Sequence, residues 1–311
     1  MNLTTKQTIV QSLEDYLVKY NMSANNFVDK SGINEAYISN MRNGSYMIGK
    51  TEIADKWFEK VANFIGFQLK KSYWEIIETN QMASMVSYLE DVIEFSCTNV
   101  IIGETGCGKT LVSGLVAKEN PLNVFTIKVG SSDNLSDLIE KLLETAKIPT
   151  AKTKSQNIRS IVKHMQKLKF DGLQPAIFFD ECEYMKIPTL CMIKELYDGL
   201  DGICGITLIG TDEFLDILDK LRKRKKAGIR QFYRRIKFGI RILPNIDKTF
   251  KGFLNNIDDR GLKSFLQRAC ENYGELHDVL VPAMREADRT NEPLTEAFVR
   301  KVLNIPNTQF A

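Results

Sequence analysis

The sequence predicts an α/β fold: a parallel β-sheet flanked by helices, with an N-terminal helix-turn-helix module and a C-terminal helical lid. Three observations carry this reading. Five short apolar runs starting near Thr98 alternate with longer stretches of helical spacing, as in a parallel sheet covered on both faces. A G-x-x-x-x-G-K-T loop stands between the first of these runs and an apolar helix. Outside this block, residues 1–66 and 247–311 show helical periodicity alone.

In chain order, residues 1–66 read as short helices over Lys6–Tyr20, Ala24–Lys30, Glu35–Met41 and Ile53–Ile65. Asn21-Met22-Ser23 supplies a cap before the second, and Ser31-Gly32-Ile33-Asn34 turns the chain into the third. This unit has helix-turn-helix spacing, whose second helix offers Asn34, Tyr37, Asn40 and Arg42 to DNA or, equally in shape, to a protein partner. Residues 67–95 read as an amphipathic connecting helix carrying Trp74, Ile76, Ile77, Met85, Val86 and Leu89. The core then spans 96–246, with strands over Thr98–Ile102, Val124–Val129, Ala176–Phe179, Gly205–Ile209 and Phe238–Ile242. Residues 247–311 read as a wholly helical lid ending in a frayed tail. A length of 311 residues suits one large domain and a smaller one.

Composition narrows the classes. A hydrophobic fraction of 43% and a charged fraction of 26% are those of a folded globular chain. No apolar run of about 18 residues and no signal-peptide pattern occurs, so the expected location is the cytoplasm with no membrane partner. The six cysteines include no C-x-x-C pair and only two histidines are present, which argues against zinc or a disulfide framework. Charge is uneven: Lys220 to Arg241 holds eleven Lys or Arg and no acid, on a chain whose net charge is only +3. Such a block reads as a docking surface for a polyanion, or more blandly as a solvated charge run.

The glycine loop carries the sharpest chemistry. Gly103, Glu104, Thr105, Gly106, Cys107, Gly108, Lys109 and Thr110 follow an apolar strand, and Leu111 opens the apolar helix. In this arrangement backbone N–H groups curl around phosphates, Lys109 reaches the β- and γ-phosphates, and the Thr110 hydroxyl ligates Mg²⁺. The predicted ligands are therefore ATP and Mg²⁺. Asp180-Glu181, delivered by Ala176–Phe179, supplies a second Mg²⁺-shell group and a residue to polarise the attacking water. Thr211, after the next strand, is either a polar sensor of the γ-phosphate or the N-cap of a helix over Glu213–Leu221. Within the basic block, Lys220, Arg222, Lys223, Arg224, Lys225 and Lys226 read as DNA-phosphate contacts. Arg230, Arg234 and Arg235 read as arginine-finger candidates for a neighbouring subunit's ATP.

With these motifs in place the chain resembles the AAA+ superfamily and, within it, the transposition ATPases of the phage Mu type, the MuB family. The resemblance rests on the N-terminal helix-turn-helix, the P-loop, F-F-D-E at 178–181, L-I-G-T at 208–211, Y-R-R-I at 233–236 and G-E-L-H at 274–277. It implies a P-loop AAA+ sheet and ATP-bound subunits assembled as a helical homo-oligomeric filament on double-stranded DNA in a bacterial host. It also implies largely non-sequence-specific DNA binding, delivery of target DNA to a transposase, and slow, partner-stimulated hydrolysis. By position it makes Lys109 and Thr110 the ATP–Mg²⁺ ligands, Asp180 and Glu181 the hydrolytic carboxylates, Thr211 sensor 1 and Arg235 the trans-acting finger. The sensor 2 position carries His277 where the resemblance favours Arg, and a neutral imidazole does not replace a fixed guanidinium charge. Two other readings share the nucleotide site: a helicase loader or replication initiator, and an ATP-gated helix-turn-helix regulator of transcription.

Overall fold

A computed structural model describes residues 1, 3–49, 51–67 and 73–306. The chain forms two units, Met1–Ser72 and Tyr73–Ala311, each with its own core.

The first unit holds α1 (Leu3–Lys19), α2 (Ala24–Ser31), α3 (Glu35–Arg42), a short antiparallel hairpin of β1 (Met47–Ile48) and β2 (Thr51–Glu52), and α4 (Asp55–Ile65). Ile9, Leu13 and Leu17 recur every four residues on α1, and with Phe27, Ile38, Met41, Phe58 and Val61 they form the buried interior. Ser23 and Asn34 cap α2 and α3 by accepting backbone N–H groups two or three residues on, and Gly32, at φ 63°, ends α2 in the left-handed region. Buried Lys6 is held by Glu52 at 2.8 Å and Asp55 at 3.0 Å, and these contacts, Glu52 first, raise its pKa. The hairpin falls where the sequence reading has no strands.

The second unit opens on an irregular stretch, 73–79, where the sequence predicts a continuous helix over 67–95; residues 68–72 lie outside the described residues. Packing explains the difference: Trp74 stacks on Phe253 with centroids 4.9 Å apart, and Ile77 lies over Gly252. The helix α5 (Asn80–Phe95) starts only where the Thr79 hydroxyl accepts Met82 N–H. There follow β3 (Thr98–Ile102), α6 (Lys109–Glu119), β4 (Val124–Lys128), α7 (Leu135–Thr145), α8 (Lys154–Phe170), β5 (Ala176–Asp180) and α9 (Ile187–Leu200). Then come β6 (Gly205–Gly210), α10 (Asp212–Lys223), α11 (Ile229–Ile236), β7 (Ile240–Ile242), α12 (Arg260–Ala269), α13 (Tyr273–Thr290) and α14 (Glu296–Leu303).

The five strands run parallel in the order β4-β5-β6-β3-β7. Strand periodicity divides their side chains between two cores. Val100, Ile102, Ile177, Phe179, Ile206 and Leu208 pack with α7 to α11, while Ile101, Phe178 and Ile209 pack with α5, α6, α12 and α13. Two boundaries differ from the sequence reading. β7 begins at Ile240, leaving Phe238 83% exposed. Residues 247–259 are turns and irregular chain, begun where Asp247 accepts the Thr249 N–H and hydroxyl, so the C-terminal segment is helical only from Arg260.

Candidate nucleotide-binding site

The carboxyl ends of β3, β5 and β6, three adjacent strands, deliver the P-loop, Asp180-Glu181 and Thr211 to one edge of the sheet. Ligands collect at this edge in open parallel sheets, and most sharply where the strand order reverses. Here β3 is followed in sequence by β4 at the far edge and flanked in space by β6 and β7.

The loop turns at Gly106 (φ 72°) and Gly108 (φ 95°), both in the left-handed region that glycine enters without strain. Gly106 is also a close approach, since a Cβ there would collide with Asn272 Oδ1. Lys109 Nζ donates to the Gly103 and Glu104 carbonyls, each at 2.8 Å, and is thereby held over the loop. The Thr110 hydroxyl donates to Asp180 Oδ2 at 2.6 Å, and Asp180 is 1% exposed, with its Oδ1 accepting the Glu181 N–H at 2.9 Å. Cys107 turns away from the loop into the core, where burial raises its thiol pKa.

Glu181 adopts φ 58°, an uncommon conformation for a non-glycine residue, and ion-pairs with Lys128 Nζ at 2.8 Å. That hydrogen bond raises the Lys128 pKa. Thr211 occupies the boundary residue of α10, yet its hydroxyl accepts no backbone N–H. The capping alternative is therefore not what this side chain does. Its Oγ1 is buried and unpaired among the described residues.

A cavity of about 470 Å³ is lined by the P-loop residues other than Cys107 from Thr105 to Leu111, by Asp180, Glu181, Glu183 and Thr211, and by Trp74, Tyr273, Gly274 and His277. That size lies within the ordinary range for small-molecule sites. Asn272 caps α13 by accepting the Glu275 N–H at 2.9 Å, and Gly274 N–H donates to the Gly106 carbonyl at 3.2 Å. The first turn of α13 is thus docked on the apex of the P-loop. His277 meets Trp74 edge-on at 5.1 Å, and its Nδ1 lies 2.9 Å from Asp278 Oδ1.

The other sequence-predicted residues are dispersed. Lys220, Lys223, Arg224, Lys225 and Lys226 are exposed at the end of α10 and in the loop after it, without an acidic partner among the described residues. Arg222 pairs with Asp219 at 3.0 Å and covers the Tyr233 ring. Arg235 forks onto Asp198, donating from Nε at 2.8 Å, and also donates to the Gln231 carbonyl at 2.9 Å. Arg230 and Arg234 are exposed on the same helix and carry no such bond among the described residues. In the first unit, Asn34 caps α3, Tyr37 packs on Trp57 at 4.9 Å, Asn40 bonds the Ala36 carbonyl and Arg42 forks onto Glu14. Each of the four proposed readers therefore has a partner inside its own unit.

The sequence reading did not single out Lys128, Glu183, Asn272 or Tyr273 as functional, and it placed Trp74 in a helix. Of these, only Glu183 had a local signal, as the second acid of D-E-C-E. The rest come to the site through strand pairing and packing of distant segments.

Residues 98–218 match a family model described as an AAA domain. No curated protein matches the chain. Among solved structures, the Aeropyrum pernix ORC2 protein in ADPNP–ADP complexes is similar at 18% identity and a TM-score of 0.53, covering 77% of this chain and 71% of its own. The Aeropyrum pernix ORC1 protein in complex with DNA is similar at 14% identity and a TM-score of 0.54, covering 76% and 67%. Cdc6p from Pyrobaculum aerophilum is similar at 13% identity and a TM-score of 0.54, covering 72% and 65%. The second unit has the parallel, helix-flanked P-loop fold of AAA+ proteins.

Proposed function

We infer that this chain is an ATPase that oligomerises on duplex DNA and uses ATP to control that assembly. The observation that carries the ATPase reading is the 2.6 Å contact of Thr110 Oγ1 with buried Asp180, beside Lys109 and within one cavity with Glu181. Thr110 and Asp180 supply two hard oxygen atoms, and no group of three or more His, Cys, Asp or Glu forms a metal cage among the described residues. That donor set suits Mg²⁺, which takes one or two protein oxygens with phosphate oxygens and water. Held by these residues, Mg²⁺ would neutralise charge developing on the phosphates.

The remaining work falls to the chain itself. Lys109 exchanges the Gly103 and Glu104 carbonyls for phosphate oxygens, and the P-loop N–H groups hold the nucleotide at the start of α6. Glu181 releases Lys128 and takes a proton from the attacking water as its oxygen bonds the γ-phosphorus and the bridging bond breaks, so ADP leaves. Arg234, exposed and without an ion-pair partner among the described residues where Arg235 is held by Asp198, is better suited to reach a neighbouring subunit's nucleotide.

The exposed cations after α10 support phosphate-backbone contact, and engagement of Asn34, Tyr37, Asn40 and Arg42 within their own unit supports a lesser or protein-directed role for α3. The order of motifs along the chain supports target-DNA delivery to a transposase. The fold likeness to ORC and Cdc6 proteins, over 72–77% of this chain, favours an initiator-type ATPase as the second reading. The test is electron microscopy with random-sequence duplex DNA, with and without a slowly hydrolysed ATP analogue, beside phosphate release assays. Nucleotide-dependent filaments support delivery to a transposase, discrete rings or dimers the initiator reading, and absence of phosphate release refutes the ATPase.

A further inference from the structure

The sheet ends at β7, which pairs with β3 alone, so one side of this strand is an open edge. Val100 N–H donates to the Gly239 carbonyl at 2.9 Å and Leu243 N–H donates to the Ile102 carbonyl at 2.7 Å. Residues 239, 241 and 243 therefore turn their backbone groups towards β3, and by strand alternation Ile240 and Ile242 turn theirs outward. Pro244, without an N–H, ends the edge.

One side chain guards it. Arg241 Nη1 donates to the Phe238 carbonyl at 3.1 Å and to the Ile240 carbonyl at 3.2 Å. The Ile240 carbonyl is one that a further strand would need, so the guanidinium closes the edge, as charged side chains on edge strands commonly do. A guard alone does not account for the apolar surface beside it. Phe238 is 83% exposed and Ile242 70% exposed, and exposed apolar side chains along an open edge favour pairing with another chain.

We propose that the outer edge of β7 docks an extended, acidic segment of a partner protein, which adds as a strand once its carboxylate has drawn Arg241 off the Ile240 carbonyl. Charge selects the occupant. Lys237, whose Nζ lies 4.4 Å from the centre of the Phe238 ring, and Arg241 are exposed cations without an acidic partner among the described residues. Pairing the edges of two copies by a two-fold axis would set these cations against their own kind, which disfavours a second copy. The chain's own segments 68–72 and 307–311 contain no acid. A carboxylate accepts from a guanidinium more strongly than a neutral carbonyl does, so Arg241 excludes neutral strands and admits acidic ones. Main-chain bonds then supply affinity, and Phe238 and Ile242 offer apolar contact. The proposal stands apart from the ATPase reading, since none of these residues lines the nucleotide cavity.

The test is fluorescence anisotropy of the protein, free of nucleotide and DNA, with a short labelled peptide of alternating Val and Ser carrying one central Glu. Two controls run beside it: the same peptide with Gln for Glu, and the Glu peptide with every amide N-methylated. Wild type should bind the Glu peptide about tenfold more tightly than the Gln peptide, the difference between a charge-assisted and a neutral hydrogen bond, and should not bind the methylated one. Arg241→Ala should bind the Glu and Gln peptides nearly alike, with an unchanged Tm. Ile242→Pro removes an outward N–H and none directed at β3, and should bind neither; if it fails to fold, the peptide series and Arg241→Ala still decide. Absence of binding, equal binding of Glu and Gln peptides by wild type, or binding that survives methylation would each overturn the proposal and leave Arg241 a guard only. A dimer in sedimentation that Ile242→Pro dissociates would give the edge to a second copy, and displacement of the peptide by random-sequence duplex DNA would give the cations to phosphate; either result also overturns it.

Discussion

Replacing Lys128 by Met should raise kcat, not lower it. Lys128 Nζ lies 2.8 Å from a Glu181 oxygen, with the two side chains 63% and 32% exposed, so the pair is screened by water on one side. Exposed pairs of this type are worth about 0.2–1 kcal/mol. If Glu181 must leave Lys128 before it can take a proton from water, that energy is part of the barrier, and removing it accelerates turnover about 1.4- to 5-fold. The assay is phosphate release at saturating ATP, run for both proteins from low to high salt. Salt weakens the exposed ion pair, so the wild-type rate should climb towards that of the variant, and the two should converge near 1 M. A fall of tenfold or more in Lys128→Met would show that Lys128 aims Glu181 at its water, and the release step would be wrong.

Gly106→Ala should abolish ATP binding measured by calorimetry, because the position combines φ 72° with a collision against Asn272 Oδ1. Arg234→Ala should lose oligomer-stimulated hydrolysis with an unchanged Tm, whereas Arg235→Ala should lower the Tm by breaking the fork onto Asp198 and the packing on Tyr197. Differential scanning calorimetry and concentration-dependent ATPase assays separate the two. Asp133 has a lowered pKa, first through Lys141 and then through the Gly130 N–H. A depressed folded-state pKa contributes stability above the unfolded value, near 3.8 here, that is lost as pH falls through the folded one. Asp133→Asn should therefore be less stable than wild type at pH 7 in urea melts, with the gap closing below about pH 4.

The central strands were legible because they are buried on both faces and read as uninterrupted apolar runs, as in Val100-Ile101-Ile102 and Ile177-Phe178-Phe179, whereas the edge strand β7 is largely exposed and its start was misplaced. The P-loop was legible for a different reason: phosphate chemistry dictates glycine, lysine and a hydroxyl at fixed local spacing. What escaped depends on distant partners. Trp74 and Ile77 sit in a stretch with helical spacing, but Phe253 and Gly252 hold it irregular. Arg235 is held by Asp198, which lies on another helix, whereas Arg230 and Arg234 are exposed, a difference that local spacing does not disclose. That the Thr211 hydroxyl caps no N–H at the start of α10 is likewise set by the local turn and not by residue spacing.

The single hydrogen bond from Gly274 to Gly106 gives α13 the mechanical standing of a pointer on a dial. The helix is 18 residues long, so it extends about 27 Å from the loop apex to Thr290. A tilt of about 5° at the P-loop end, too small to disturb the fold, would carry the far end about 2 Å, enough to shift side chains between alternative packings. Were a bound phosphate to tilt the loop apex, the movement would reach the far end of α13 without any loop having to travel there.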